Sequence, residues 1–395
     1  MKPKEIILQI FTGGYSMAEA TYEEIEQKLV PLLEKIPVKK VIIGWALQQE
    51  LYKKLGELLH KYSVEYYLWI PVFSETGELK PVNRLLDFDK REVKNYNLKS
   101  SEKFEFYCPN RKENQRSFIE LYEEHFSMVD FDGVFLDKIR YGSFSNGLSG
   151  VFSCFCSECE KKYKQNGIDM EVLLAEMKKV SEGSEGYNIN PLKINSYSNG
   201  KYTFENSVWE DFFEFKNQMI YEALYPICEF FHNKNMKVGM DTFAPFIAYF
   251  AGQDLEKLNK LADFIKPMMY RITNAPAGLP FETDKIIAET CTGNDLEARK
   301  RLYEILGCKE NRNGSFDIEF VKRELDYMAE LGVKTYCGIE INRIDNIAPV
   351  DPEYVKENLM ELENSKIEGF VLSWNLLSAP QENINMVLDC IERRR

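Results

Sequence analysis

Short runs of β-branched and aromatic residues alternate with longer amphipathic stretches along this chain, eight times over. Such alternation marks strand–helix units wound around a parallel sheet. Four predicted strands are IILQIF from Ile6, KVIIGWA from Lys40, VEYYLWIPV from Val64 and FDGVFLD from Phe131. Four more are KVGMDTF from Lys237, ADFIKPMMY from Ala262, KTYCGIEI from Lys334 and GFVLSW from Gly369. Between them TYEEIEQKLVPLLEKI, WEDFFEFKNQMIYEALYPICEFFHN, DIEFVKRELDYMAELG and DPEYVKENLMELENS read as helices, with Thr or acidic residues in their first turns. Eight such pairs in succession close an α/β (β/α)8 TIM barrel. An open doubly wound sheet is the alternative, but FTGGYS after the first strand is too short for a dinucleotide-binding glycine fingerprint.

Two connections exceed simple βα loops: residues 74–106 after the third strand and 141–205 after the fourth. Long insertions in a compact domain are usually functional. The second contains VFSCFCSECEKKY, with three cysteines in six positions, then helical SECEKKYKQNG and MEVLLAEMKKV. The polar SEGSEGYNINPLKINSYSNGKY that follows reads as a mobile lid. The 395 residues are expected to form one barrel domain carrying both insertions.

In a (β/α)8 barrel the active site lies at the carboxyl ends of the strands, which narrows the search to a few residues. The fourth strand ends in Asp137, followed by Lys138, Arg140 and Tyr141; strict alternation would point Lys138 away from Asp137. Asp241 lies near the end of the fifth strand, Tyr270 and Arg271 follow the sixth, Glu340 ends the seventh with Asn342 beyond, and Trp374 and Asn375 follow the eighth. One such acid is as often a helix cap or an ion-pair partner. Three converging acids with Tyr15, Trp45, Trp69, Tyr270 and Trp374 at comparable ends suit a sugar, whose CH faces stack on rings and whose hydroxyls need polar partners.

Composition removes the competing chemistries. The formal net charge of -13, with no basic stripe, excludes a nucleic-acid partner. No apolar stretch approaches the roughly 18 residues of a membrane span, and the apolar run after the first few residues is too short for a signal sequence, so a cytoplasmic protein without a membrane partner is expected. The three histidines, His60, His125 and His232, all fall in predicted helices, which disfavours Ser–His or Cys–His nucleophiles and imidazole-held zinc. No motif for an organic cofactor is present. Carboxylate chemistry remains: two acids with separated pKa values can protonate a leaving group and attack or activate water.

FDGVFLDKIRY, with GMDTFAP, GQDLEKL, DFIKPMMYR, GIEI and GFVLSWNL, resembles the strand ends of glycoside-hydrolase-like barrels. The cysteine cluster, with Cys108 upstream, is similar to the zinc site of family 42 β-galactosidases. That resemblance implies a structural zinc held by Cys108, Cys154, Cys156 and Cys159, stapling a lid without a core of its own. In that family the fourth strand carries an Asn-Glu pair, where this chain has LDK, and Glu340 would stand in the nucleophile's place. In amylase-like barrels the fourth-strand Asp is the nucleophile and a fifth-strand acid assists. Both assignments stay open at this point.

The expectation is therefore a retaining hydrolase of O-glycosidic bonds. Glu340 and one of Asp137 or Asp241 would flank the bond from opposite sides of the mouth, and Arg140, Tyr270, Trp374, Asn375, Trp45 and Trp69 would hold the sugar. A catalytically silent barrel that binds glycans or proteins is the rival, although it has no need of three acids. A lyase or isomerase would want a lysine base or an acid-held metal at the mouth. Substrate identity and whether the chain self-associates are not read from the sequence.

Overall fold

The computed structural model describes residues 4–97, 102–183, 190–309, 311 and 315–393. All eight expected strands are present: β1 (Glu5–Phe11), β2 (Val38–Gly44), β3 (Glu65–Pro71), β4 (Gly133–Asp137), β5 (Lys237–Phe243), β6 (Phe264–Met268), β7 (Tyr336–Glu340) and β8 (Gly369–Ser373). They pair in parallel, each with its neighbour in sequence, and β8 closes on β1. The architecture is the expected (β/α)8 barrel.

The helices behave as their sequences predict. In α1 (Tyr22–Lys35) Thr21 and Glu24 form a reciprocal capping box, satisfying two backbone donors that the first turn leaves open. Next come α2 (Gln49–Lys61), α3 (Lys112–His125), α4 (Ser157–Gln165), α5 (Met170–Glu182) and the 25-residue α6 (Val208–His232). Later ones are α7 (Leu279–Thr290), α8 (Ile318–Glu330), α9 (Pro352–Glu361) and α10 (Gln381–Glu392). Asp317 and Asp351 cap α8 and α9 through side-chain oxygens. All three histidines lie on helices. Among the described residues no helix is long and apolar enough to cross a membrane.

The barrel interior is filled by large rings set against glycines. A Cβ on Gly133 would sit 2.4 Å from Tyr67, and one on Gly239 would sit 2.3 Å from Phe264, so both positions admit only hydrogen. Phe135 stacks on Phe264 with centroids 5.9 Å apart. This aromatic plug closes the barrel, and above it lies a polar layer that includes Gln9, Lys266 and Ser373.

The connection after β4 departs from expectation. Residues 184–189 of the stretch read as a mobile lid lie outside the described residues, but Ile194–Ser198 and Lys201–Phe204 pair as a hairpin with Tyr202 and Phe204 buried. The connection is also held by ring packing against α6 and the segment after β5, and not by the cysteines alone. Phe152 stacks on Trp209 at 5.1 Å, Tyr163 meets Phe215 at 4.4 Å, and Tyr202 meets Phe250 at 4.7 Å. These rings come from the insertion, from α6 and from the segment after β5, so no local periodicity announces them.

Candidate active site

A cavity of about 400 Å³ opens at the carboxyl ends of the strands, within the range of small-ligand sites. Asp137, Arg140, Asp241, Trp69, Tyr270, Trp374 and Asn375 line it, as do Gln9, Glu102, Phe104, Lys138 and Phe243.

Asp137 is held from two sides. Trp69 Nε1 donates to Oδ2 at 3.0 Å and the Lys138 backbone N–H donates to Oδ1 at 2.5 Å. Lys138 has φ +49°, a left-handed conformation that ends the strand abruptly. That turn corrects the expectation that Lys138 faces away: it lines the same cavity, with Nζ donating to Glu75, to the Lys103 carbonyl at 2.6 Å and to Glu102 at 3.2 Å. Burial raises the Glu75 carboxyl to about 7 against the pull of Lys138, and raises Glu102 as well. The Arg140 guanidinium lies between the Phe106 and Phe243 rings, 4.2 and 4.3 Å from their centroids. Burial lowers it to about 10.

Asp241 is almost wholly buried. Its Oδ2 accepts from Lys266 Nζ at 2.9 Å, while Oδ1 has no partner among the described residues. Burial pushes its carboxyl up to about 7, the Lys266 ammonium opposing and Asp137 adding to the rise. In the β4–β5 register Leu136 faces Met240, so Asp137 and Asp241 follow one another on adjacent strands, which run about 4.8 Å apart.

Glu340 does not join them. It is fully buried and absent from the cavity lining. Its Oε1 accepts from the Ile272 N–H at 3.1 Å and the Thr273 hydroxyl at 3.0 Å, and its Oε2 from the Tyr354 hydroxyl at 2.6 Å. The carboxylate ties the loop after β6 to α9. Of the three expected acids, the cavity is lined by the two on neighbouring strands, Asp137 and Asp241. Trp45 is also displaced: it stands behind the cavity, edge-on to Phe11 at 4.9 Å and Trp69 at 5.0 Å. Tyr270 and Trp374 meet at 5.8 Å on the cavity wall. Asn375 spends its Oδ1 on the backbone N–H groups of Phe11 and Leu377 and reaches the cavity edge.

Sequence reasoning missed Gln9, Lys266 and Glu102. The first two had a signal, a polar residue inside an apolar strand run that parallel barrels bury on both faces. Glu102 had none, since it lies in a long polar connection.

Behind the mouth, Cys108, Cys154, Cys156 and Cys159 come together, their four sulfurs within 4.8 Å of one another. Cys108 Sγ lies 3.7 Å from Cys156 Sγ and 3.5 Å from Cys159 Sγ. Four sulfurs about 2.3 Å from a central tetrahedral zinc would be spaced about 3.8 Å apart, so the cluster has the dimensions of a closed metal site. The Leu86 N–H points at Cys154 Sγ at 3.4 Å, and the Asn110 amide at Cys159 Sγ at 3.2 Å. Donors aimed at sulfur suit thiolate ligands.

No family model and no curated protein matches the chain. Among solved structures it is similar to the glycoside hydrolase domain of PgaB (BpsB) from Bordetella bronchiseptica, with a TM-score of 0.60 and 12% identity over 99% of this chain and 98% of that one. It is also similar to α-L-fucosidase isoenzyme 2 from Paenibacillus thiaminolyticus, with a TM-score of 0.52 and 12% identity over 99% of this chain and 49% of that one. At such identity the likeness is one of fold, the barrel that glycoside hydrolases use.

Proposed function

We propose that this protein is a retaining glycoside hydrolase whose catalytic pair is Asp137 and Asp241. The observation that carries the reading is the contrast between two neighbouring acids. Asp241 is buried, inclined to hold a proton near neutrality, and has one oxygen without a partner among the described residues; Asp137 is oriented by two N–H donors. Acids in unlike environments at one site divide the acid and nucleophile roles.

In the proposed reaction the Asp241 proton passes to the glycosidic oxygen as the C1–O bond breaks, while a carboxylate oxygen of Asp137 bonds to C1. Water then loses a proton to Asp241 and attacks C1, releasing Asp137. Neighbouring strands favour the shorter carboxyl separation of retaining enzymes, about 5–5.5 Å, over the wider spacing that admits a water in inverting ones. Trp69, Tyr270 and Trp374 offer faces for the sugar ring, and Arg140 and Asn375 offer polar contacts.

The cysteine cluster, on this reading, holds a structural zinc. With four thiolates there is no open position for a substrate, so the metal's contribution is to fix the loops behind the mouth. A reducing compartment, the cytoplasm, would keep the thiols available.

A panel of chromogenic glycosides tests the function. Wild type is expected to turn over at least one substrate with the product's anomeric configuration retained by NMR, and Asp137→Asn and Asp241→Asn each to lose about three orders of magnitude or more in kcat without unfolding. Near-normal turnover in either variant would remove that residue from the pair.

A further inference from the structure

The polar layer beneath the cavity contains a lysine with no expected role. Lys266 is fully buried at the centre of β6, and its ammonium has three acceptors: Asp241 Oδ2 at 2.9 Å, the Tyr270 hydroxyl oxygen at 2.7 Å and Gln9 Oε1 at 3.1 Å. An ammonium has three protons and no acceptor capacity, so the set is filled and the charged form is the one the site is built to receive. Space for it is made on the neighbouring strand β7, where a Cβ on Gly338 would lie 2.5 Å from Lys266 Cε. The side chain therefore has one place to be.

We infer that Lys266 is a positioning residue which, by occupying Oδ2 of Asp241, confines that carboxyl's transferable proton to Oδ1 at the cavity floor and sets the pH at which it leaves. The chemistry is direct. An oxygen that already accepts from a cation is a poor proton carrier, and the partner-free Oδ1 is the better one. The groups facing Asp241 are Lys266 and Tyr270 from β6 and its end, Asp137 from β4 and Glu102 from the loop after β3. Burial and the two acids favour the protonated form; Lys266 opposes them. Without it Asp241 would hold its proton through the pH range in which the second half of the proposed reaction needs a carboxylate base. The inference rests on Asp241 being the proton donor, but its test does not depend on turnover.

The experiment is a titration of the Asp241 carboxyl carbon by 13C NMR in uniformly labelled protein, the resonance assigned by its loss in Asp241→Asn. An opposite charge in contact moves a carboxyl by about 1–3 pH units. In Lys266→Met the midpoint is expected to rise by that amount, and in Lys266→Arg to stay nearer the wild-type value. Should Lys266→Met fail to fold, Gly338→Ala, which crowds Cε away from Asp241, is expected to move the midpoint in the same direction. An unchanged midpoint in the folded variants overturns the proposal. A raised midpoint in a protein that hydrolyses no glycoside leaves it standing and removes the functional reading instead. Where a substrate is known, the alkaline limb of the kcat/KM profile is expected to follow the NMR midpoint.

Discussion

Lys138 shows how a single backbone choice decides which charges meet. Extended geometry would have sent Asp137 and Lys138 to opposite sides of the sheet; φ of +49° instead puts the lysine beside Glu75 and Glu102 at the mouth. Glu340 makes the complementary point. Strand position located it correctly at the end of β7, but the direction of a terminal side chain is set by its partners, here Ile272, Thr273 and Tyr354. Those partners imply a structural residue. Glu340→Ala, which strands buried donors and leaves a void, is expected to cost about 3 kcal/mol or more in urea denaturation. Glu340→Gln is expected to keep kcat within a few-fold of wild type at a temperature where it is folded. A loss of several orders of magnitude in the Gln variant would restore Glu340 as nucleophile. The strand ends were thus legible as positions, and Asp137, Asp241, Tyr270 and Trp374 followed from them, whereas rotamers and second partners were not.

At the level of elements, the two long connections form one unit across the back of the mouth. Cys108 lies just past the end of the first, before α3, and Cys154, Cys156 and Cys159 lie in the second; the two connections are also joined where the Phe155 N–H donates to the Leu86 carbonyl at 2.8 Å. The first connection also delivers Glu102 and Phe104 to the cavity, and Asn146 of the second holds the Phe104 carbonyl at 2.8 Å. Metal loss should therefore act on the site through its walls. Elemental analysis is expected to find about one zinc per chain, and Cys156→Ser to abolish it. Hydrogen exchange is then expected to quicken around residues 84–87 and 151–163 and to stay slow in β1, β2 and β8. A metal-free wild type with unaltered exchange in the cysteine segments would sink the structural-zinc reading. The spacing of Cys154, Cys156 and Cys159 marked the cluster in the sequence, and the resemblance to the family 42 zinc site brought in Cys108. The ring-packed core around Phe152, Trp209 and Tyr202 was invisible because its members are brought together only by the closed barrel.

Over the whole molecule, the buried acids give stability a pH dependence of definite sign. Burial raises Glu75, Asp241 and Glu324 to about 7, so between their unfolded values near 4 and pH 7 the folded chain binds more protons than the unfolded one. Stability from these groups falls as pH rises through that window. Glu65 runs the other way: although burial opposes it, Lys40 and Lys237 hold its carboxyl down at about 2, and its contribution is lost as pH falls below about 4.5. The net charge of -13 adds repulsion at high pH. Maximum stability is therefore expected near pH 5, not at neutrality. Glu324 isolates one contribution, because among the described residues no cation is bonded to it: the Tyr197 hydroxyl at 2.7 Å and the Phe246 N–H at 3.1 Å both donate to Oε2, pinning the hairpin and the segment after β5 to α8. A glutamine oxygen can accept both bonds without a charge to desolvate. Relative to wild type, Glu324→Gln is accordingly expected to gain on the order of 3 kcal/mol between pH 5 and pH 8, read from urea midpoints at each pH. Stability curves that run parallel across that range would mean that Glu324 titrates at its ordinary value and that the pH dependence of the fold arises elsewhere.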